Sequence, residues 1–291
     1  MYAITGITGK VGGSLARNLL ADKLTTRAIM RDAAKAAEWR ALGCQIAIAE
    51  MDDAASLTAA FQGAEGVFIL PPSEFDPEPG FPEAQRVIEA VSAALTAVRP
   101  GKVVCLSTIG ADAPRENLLT QRTMLEQSLS GLGLAITFLR PAWFMENTMW
   151  DIAPARDEGI LRSFLQPAGK AFPMVATQDV GRQAATLLRE SWSGTRVVEL
   201  EGPVRVSPND IARAFASVLN RPVSVETIAR ENWESIFRDQ GTHNPLPRMR
   251  MIDGFNEGWI EFWDNGRAAM KGTTRLLDVV AELVKASQSA S

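Results

Sequence analysis

Along the first half of the chain, short apolar runs alternate regularly with stretches of helical period. Tyr2-Ala3-Ile4-Thr5, Thr26 to Met30, Cys44 to Ala49, Gly66 to Leu70, Lys102 to Ser107 and Ala135 to Leu139 read as six strands. Between them, apolar positions recur at three- and four-residue spacing over Val11–Leu20, Ala33–Leu42, Asp53–Phe61, Glu83–Val98 and Leu118–Leu132, which predicts five helices. Gly66-Val67-Phe68-Ile69-Leu70 is apolar throughout, not alternating, as a strand covered on both faces should be. Strands of that kind interleaved with helices predict an α/β fold of the Rossmann type. Right-handed crossovers give its doubly wound parallel sheet the order 3-2-1-4-5-6, with room for extension. Pro71-Pro72 end the fourth strand, and Glu74 to Gly80 has no regular period.

After Arg140-Pro141 the pattern changes, and prolines, tryptophans and methionines become frequent. A helix is expected over Gln178–Arg189, a strand over Val197–Leu200 and another over Val223–Glu226. Ser207-Pro208-Asn209-Asp210 has the serine cap, first-turn proline and acid of a helix start. Further helices are predicted over Trp233–Asp239, Met249–Phe262 and Thr273–Ala286, with a frayed tail over Ser287–Ser291. The expected organisation is a sheet domain over residues 1–150 and a smaller, mainly helical lobe over 151–291. A part of that lobe, about 175–205, returns to the sheet.

Composition narrows the classes. A chain of 291 residues with 46% hydrophobic content buries a substantial core, as one large domain or two modest ones. A net charge of −4 without a basic stripe excludes a nucleic-acid surface. No apolar run approaches the roughly 20 residues needed to cross a bilayer, and the N-terminus does not read as a signal peptide. The expectation is a cytoplasmic protein. Cys44 and Cys105 fall in apolar strands as small reduced core residues. One histidine and no clustered cysteines leave no framework for a metal.

The chemistry starts where the first strand meets the first helix. Gly6, Gly9 and Gly12 follow at three-residue spacing, with Thr8, Lys10 and Val11 between them. A strand that runs through glycines into a helix gathers unpaired N–H groups and the positive end of the helix dipole at one spot, where a pyrophosphate can sit. Gly6 permits the tight turn, Gly9 a close approach of backbone to phosphate, and Gly12 the packing of the helix. Dinucleotide folds that prefer NAD place an acid at the end of the second strand; here Met30 leads into Arg31, with Asp32 behind it. An arginine there forks onto a 2′-phosphate and favours NADP(H), with NAD(H) as the alternative if Asp32 is the ribose ligand. Glu50 and Met51 follow the third strand at the corner that faces the adenine; helix capping by Asp52 or Asp53 is the other use of this segment. Leu70, Pro71 and Pro72 end the fourth strand at the topological switch point, where the rest of the cofactor passes.

Several of these segments together resemble the NmrA-like family, an atypical branch of the short-chain dehydrogenases/reductases. They are Thr5-Gly6-Ile7-Thr8-Gly9-Lys10-Val11-Gly12, Arg31, Asp53-Ala54-Ala55-Ser56-Leu57, Leu106-Ser107-Thr108-Ile109-Gly110 and Ser130 to Asn147. Gln178-Asp179-Val180-Gly181 and Leu200-Glu201-Gly202-Pro203 match later landmarks, so the resemblance spans nearly the whole chain. It implies that the Gly6–Gly12 loop and Arg31 hold the adenosine phosphates, and that Leu70 to Pro72 and the turn at Pro141 flank the nicotinamide. The family includes NADPH-dependent quinone and dye reductases and regulators that only sense NAD(P).

The departures weigh as much as the matches. The wider superfamily uses a Tyr-x-x-x-Lys pair as a proton relay, whereas the one tyrosine here is Tyr2, inside the first strand. No lysine lies between Ala111 and Leu134, and Arg122 stands about where relatives carry one. An arginine stays charged and is a poor proton donor. Ser107 is a hydroxyl near the carbonyl site or simply a polar strand end. A reductase without the relay suits substrates that accept hydride readily, such as quinones, iminium ions and cationic dyes. Trp143, Phe144, Met145, Asn147, Met149 and Trp150, with Trp259 and Trp263 further on, are the candidates for an aromatic cleft; core packing is the competing use of each. His243 reads as an exposed loop histidine, and Arg248 and Arg250 as a solvated helix face. Two functions follow as expectations: a reductase of small flat electrophiles, which needs no partner but is compatible with a homodimer, or a regulator that senses NAD(P) and acts through a protein partner.

Overall fold

In a computed structural model, which describes residues 1–289, the alternating half of the chain forms the parallel sheet that its pattern predicts. In chain order its elements are β1 (Tyr2–Ile4), α1 (Lys10–Ala21), β2 (Thr26–Met30), α2 (Ala36–Ala41), β3 (Gln45–Ile48) and α3 (Ala54–Phe61). There follow β4 (Gly66–Ile69), α4 (Pro82–Val98), β5 (Lys102–Leu106), α5 (Thr120–Ser130) and β6 (Ile136–Pro141). Then come β7 (Trp143–Phe144), α6 (Ile152–Asp157), β8 (Ile160–Ser163), β9 (Met174–Val175), α7 (Thr177–Arg189) and β10 (Thr195–Glu201). The chain ends with α8 (Pro208–Leu219), β11 (Ser224–Thr227), α9 (Trp233–Asp239), α10 (Leu246–Glu257), β12 (Met270–Lys271) and α11 (Leu276–Ser289).

By their contacts the residues divide into two units, one of 1–111, 119–140 and 178–198, the other of 112–118, 141–177 and 199–291. The chain leaves the sheet unit after Ala111, again after Arg140 and, having returned over 178–198, a last time after Val198. The sheet runs β3-β2-β1-β4-β5-β6, and β10 and then β12 extend the order. Its pairs are parallel, with Tyr2 opposite both Thr26 and Gly66 and Val103 opposite Ile136. One helical layer packs Leu57, Phe61, Val91, Leu95, Leu125 and Leu129 onto Val67, Ile69, Val103 and Phe138. Tyr2 lies at the N-terminal end of β1, its hydroxyl donating to Glu65 Oε1 at 3.1 Å. That is the sheet edge opposite the glycine turn.

Helix ends depart from the periodicity where capping decides them. Residues 33–42 split into a short 3-10 turn at Ala33–Lys35 and α2, because Asp32 accepts the Ala34 N–H at 2.9 Å and fixes the start. In the same way Asp53 caps α3 by accepting the Ala55 N–H at 3.0 Å. The helix expected over Met249–Phe262 is α10, which stops at Gly258 with φ +89°. At the other end, α11 continues through Ser287 to Ser289, so those residues are helical and not frayed; residues 290–291 of the expected tail lie outside the described residues.

The second unit holds more strand than its sequence announces. β8 pairs with β11 and β7 with β9, both in parallel, and β12 pairs with the end of β10 at Leu200–Met270. Except for β10 and β11, none of these partners was legible, because segments of two to four residues carry no measurable period. α8 opens with a full capping box: Asp210 Oδ2 accepts the Ser207 N–H at 2.8 Å, and Ser207 Oγ accepts the Asp210 N–H at 3.2 Å. Aromatic contacts organise the core, with Phe164 edge-on to Trp233 at 5.7 Å and tilted against Phe237 at 4.9 Å, and Trp143 edge-on to Phe255 at 5.1 Å.

In the sheet unit, α7 is held against α1. A Cβ at Gly181 would lie 2.5 Å from Ser14 Cβ and 2.7 Å from the Leu15 nitrogen, and Ser14 Oγ donates to the Gln178 carbonyl at 3.0 Å. Gly181→Ala is therefore expected to destabilise the protein by about 1–3 kcal/mol, the scale of overpacking, measured by urea denaturation. Adding Ser14→Gly should recover only part of the loss, since the Leu15 backbone still blocks the methyl group.

Candidate functional site

The glycine turn is built around one close approach. Gly6 has φ +64°, and a Cβ there would meet Leu70 Cβ at 3.0 Å. A Cβ on Gly12 would fall 2.3 Å from the Gly6 carbonyl oxygen and 2.9 Å from Ile7 Cα, so α1 rests directly on the turn. Gly9 is the N-cap of α1 without a side-chain cap, and no acid stands in the first turn. The leading N–H groups of the helix therefore face outward with the positive end of its dipole. Thr8, Gly9 and Lys10 are exposed there and Val11 is buried beneath them. Thr5 ties this turn to the neighbouring strand end: its Oγ1 donates to the Phe68 carbonyl at 3.1 Å and accepts the Leu70 N–H at 2.7 Å.

At the end of β2 the two candidate ligands of the sequence separate. Asp32 is engaged in its cap, while Arg31 is exposed and, among the described residues, has no hydrogen bond or ion pair. Beyond β3, Glu50 is exposed, Met51 packs against the core, and Asp53 is the residue that caps α3.

The segment after β4 is clamped from α5. Arg122 Nη2 donates to the Pro71 carbonyl at 3.0 Å, the Pro72 carbonyl at 3.2 Å and Ser73 Oγ at 2.7 Å. Gln121 exchanges two bonds with the Glu74 backbone, accepting at 3.2 Å and donating at 2.8 Å. Burial pulls the Arg122 guanidinium down to about 10, which leaves it cationic at neutral pH. Arg122 thus fixes Pro71 to Ser73 in place. Nearby, Ser107 is only 4% exposed and donates its proton to Glu126 Oε1 at 2.5 Å. Arg140 forks onto the same carboxylate at 2.9 and 2.7 Å. With that proton engaged, the Ser107 oxygen is left to accept. The lone tyrosine is equally occupied: burial first, then its bond to Glu65, raises the Tyr2 pKa.

In the second unit the candidate cleft residues differ in exposure. Trp150 is 79% exposed, Met149 and Asn147 are exposed, and Trp143 and Phe144 are half-buried. Met145 is a correction. It is fully buried, and its Cε lies 2.9 Å from where a Cβ on Gly202 would stand, so it belongs to the core. Pro141 is buried at the end of β6. Trp259 donates to Glu257 at 2.9 Å under the Arg115 guanidinium, and Trp263 is 78% exposed. Glu146, which no sequence motif marks, receives the Thr177 N–H at 2.9 and 3.0 Å together with its hydroxyl. No helix among the described residues is long and apolar enough to cross a membrane, and none of their acidic, histidine and cysteine side chains cluster as a metal site.

The profile of the NmrA-like family matches residues 2–258. The chain belongs to that family. Among curated relatives, the NAD(P)H azoreductase of Xenophilus azovorans is 29% identical over 261 residues, covering 88% of this chain and 85% of that one. Quinone oxidoreductase 2 of Escherichia coli (strain K12) is 27% identical over 290 residues, covering 97% and 98%. The crystal structure of NADPH-dependent QOR2 from Escherichia coli complexed with NADPH superposes with a TM-score of 0.79 at 23% identity, over 99% and 100% of the chains. That of the Citrobacter sp. triphenylmethane reductase complexed with NADP(H) gives 0.77 at 19% identity, over 98% and 99%. These two likenesses establish the fold.

Within this NmrA-like chain one carboxyl stands out that no motif announced. Asp151 follows Asn147 by four residues and stands at the N-cap position of α6; it is half-buried, and among the described residues its side chain has no hydrogen-bond or ion-pair partner. Burial pushes it up to about 7. Only its environment reveals it, since an Asp before a helix ordinarily reads as a cap. Folded, it binds more protons than an unfolded Asp between pH about 4 and about 7, so its contribution to stability falls as pH rises through that window. Asp151→Asn should therefore raise stability at pH 8 by on the order of 2 kcal/mol and have little effect at pH 4. Thermal melts of both proteins across this range test it; an equal change at both ends overturns it.

Proposed function

We propose that the protein is an NADPH-dependent reductase that delivers hydride to a small, flat, electrophilic substrate, a quinone first, without a Tyr-x-x-x-Lys relay. The observation that carries the cofactor choice is Arg31: an exposed, unpaired cation at the end of β2, beside an Asp32 already used as a cap. An acid free at that position would repel a 2′-phosphate, and an arginine forks onto it. The bare N-terminus of α1, the Gly6–Gly12 approach and the exposed Lys10 fit a pyrophosphate at the turn. Glu50 and Met51 serve the adenine. Leu70, Pro71 and Pro72, held by Arg122, line the path to the nicotinamide, with Ser107 and Pro141 beside it. Since the Ser107 oxygen only accepts, it suits the amide N–H group of the nicotinamide better than a substrate carbonyl.

When bound, the reduced nicotinamide supplies the hydride, and the protein's part is to orient the two reactants and exclude water. Trp143, Phe144, Asn147 and Trp150 are the residues proposed to receive the substrate ring. The two curated relatives support the reading, one being named an NAD(P)H azoreductase and the other a quinone oxidoreductase. The occupied Tyr2 hydroxyl is what favours the other reading, a sensor of NAD(P) without turnover.

NADPH oxidation across a panel of quinones, iminium compounds and cationic dyes decides between them. Turnover of at least one quinone is expected; tight NADPH binding with no turnover on any of them would leave the sensor. Arg31→Ala is expected to weaken NADPH by about 1–3 kcal/mol, the scale of a charge-assisted hydrogen bond, and NADH far less. Titrating both cofactors against both proteins checks this, and an equal loss for the two sinks the assignment.

A further inference from the structure

The two arginines expected on a solvated face of α10 part company. Arg248 corrects the expectation: it is half-buried against the Phe237 ring, its guanidinium carbon 4.4 Å from the centroid. Arg250, by contrast, is exposed, and it shares one helix face with Asp253 and Glu257 at i, i+3 and i+7. Opposite this face, in the same unit, runs the segment 112–118. It is pinned where the Leu118 N–H donates to the Pro247 carbonyl at 2.9 Å, and the buried Asn117 side chain donates to the Arg115 carbonyl at 2.8 Å. Between segment and helix lies a solvent-open cleft of about 360 Å³, lined by Arg115, Glu116, Arg250, Asp253, Glu257 and Trp259.

Two of the three acids in this lining are closely held. Asp253 has both oxygens taken by Arg230, at 2.7 and 2.8 Å. Glu257 Oε2 accepts from Arg115 at 3.1 Å and from the Trp259 indole N–H at 2.9 Å, with the Arg115 guanidinium carbon 5.3 Å from the Trp259 ring. The third pair is loose. Arg250 and Glu116 reach across the cleft to 3.5 Å, their side chains 45% and 63% exposed, and among the described residues neither makes a hydrogen bond. An exposed pair at that distance holds its members weakly. A ligand of one charge is a poor replacement for it, because an anion on Arg250 strands Glu116 and a cation on Glu116 strands Arg250. A zwitterion exchanges both partners at once. Its carboxylate takes the guanidinium fork, its ammonium takes the carboxylate, and the charge balance of the cleft is kept.

We propose that this cleft binds a free aromatic α-amino acid, its charged head between Arg250 and Glu116 and its ring toward Arg115. The helix rises about 10 Å over the seven residues from 250 to 257, and at the far end Glu257 holds Arg115 over the indole. One face of that guanidinium lies on Trp259; its side chain is 64% exposed, so the other face is open to a second ring. A volume of about 360 Å³ belongs to the small-ligand range. The proposal stands apart from the reductase reading, since neither the cofactor nor hydride transfer enters it.

Calorimetry on the full chain tests it with three probes that differ only in charge: L-phenylalanine, N-acetyl-L-phenylalanine, which lacks the ammonium, and phenethylamine, which lacks the carboxylate. L-Phenylalanine should bind saturably, and each single-charge analogue about tenfold weaker or worse, as loss of one charge-assisted hydrogen bond predicts. No saturable binding of L-phenylalanine overturns the proposal, and so does an analogue that binds as tightly. L-Alanine, with the same head and no ring, should bind several-fold weaker than L-phenylalanine; equal affinity overturns the assignment of the ring. Arg250→Gln and Glu116→Gln should each weaken L-phenylalanine by about tenfold or more, whereas Arg238→Gln, whose arginine pairs with Glu234 on α9, should leave it unchanged. Full affinity in both cleft variants places the ligand elsewhere and overturns the site. Both positions are exposed, so each variant should melt within about 2 °C of the wild type. The analogue series needs no variant and decides the charge selectivity even where one is destabilised.

Discussion

The sheet unit depends on one approach that admits no side chain: α1 meeting the Gly6 turn at Gly12, where a Cβ would fall 2.3 Å from a carbonyl oxygen. Backbone on backbone at that distance fixes the direction of α1 and hence where its unpaired N–H groups point. It also brings the end of β4 into place, since Leu70 fills the space a Cβ on Gly6 would need and Thr5 bonds across to it. α7 repeats the device one layer out, with Gly181 against Ser14 and Leu15. Two glycine contacts thus hold one helix from both sides, and the uncapped N-terminal end of that helix inherits their rigidity.

Arginines divide sharply by what they meet. Arg140 and Glu126 form a buried, forked pair, a case where each partner requires the other because removal of one leaves an uncompensated charge. Arg205 bonds Glu201 and both oxygens of Glu261 and belongs with it. Arg122 differs: it faces neutral carbonyls and a hydroxyl, so its charge is held by oriented dipoles and its effect is to immobilise Pro71 to Ser73. Arg31 and Arg248 form a third class, cations without a protein anion among the described residues. Water satisfies the exposed Arg31, whereas the half-buried Arg248 lies against the Phe237 ring.

The order of the first six strands was legible because each spans several residues in a largely apolar run and each crossover is a helix of measurable period. Glycine spacing and Arg31 were legible for a different reason, since both report on local backbone needs and local charge. Two-residue strands such as β7 and β9 carry no period, and their pairing is decided by tertiary contacts alone. Met145 shows the limit within the site: its neighbours Trp143, Phe144 and Asn147 retain exposure while it is fully buried, and composition cannot tell one from another in a run of large apolar residues. Arg248 and Asp151 were missed or misread because sequence shows a charge but not its desolvation or the absence of a partner.

Asp151 bears on the missing proton relay. A relay needs a group whose proton is neither locked nor absent at the working pH. Tyr2 fails because its hydroxyl is tied to Glu65 at the far end of β1, Ser107 because its proton belongs to Glu126, and Arg122 because a guanidinium does not release one at neutral pH. Asp151, raised to about 7 by burial and without a side-chain partner among the described residues, meets the condition on protonation. A carboxyl so poised exchanges protons readily near neutrality without being a strong acid. Under the reductase reading proposed above, the substrates that suit this chain are electron-poor acceptors, which need orientation more than an acid.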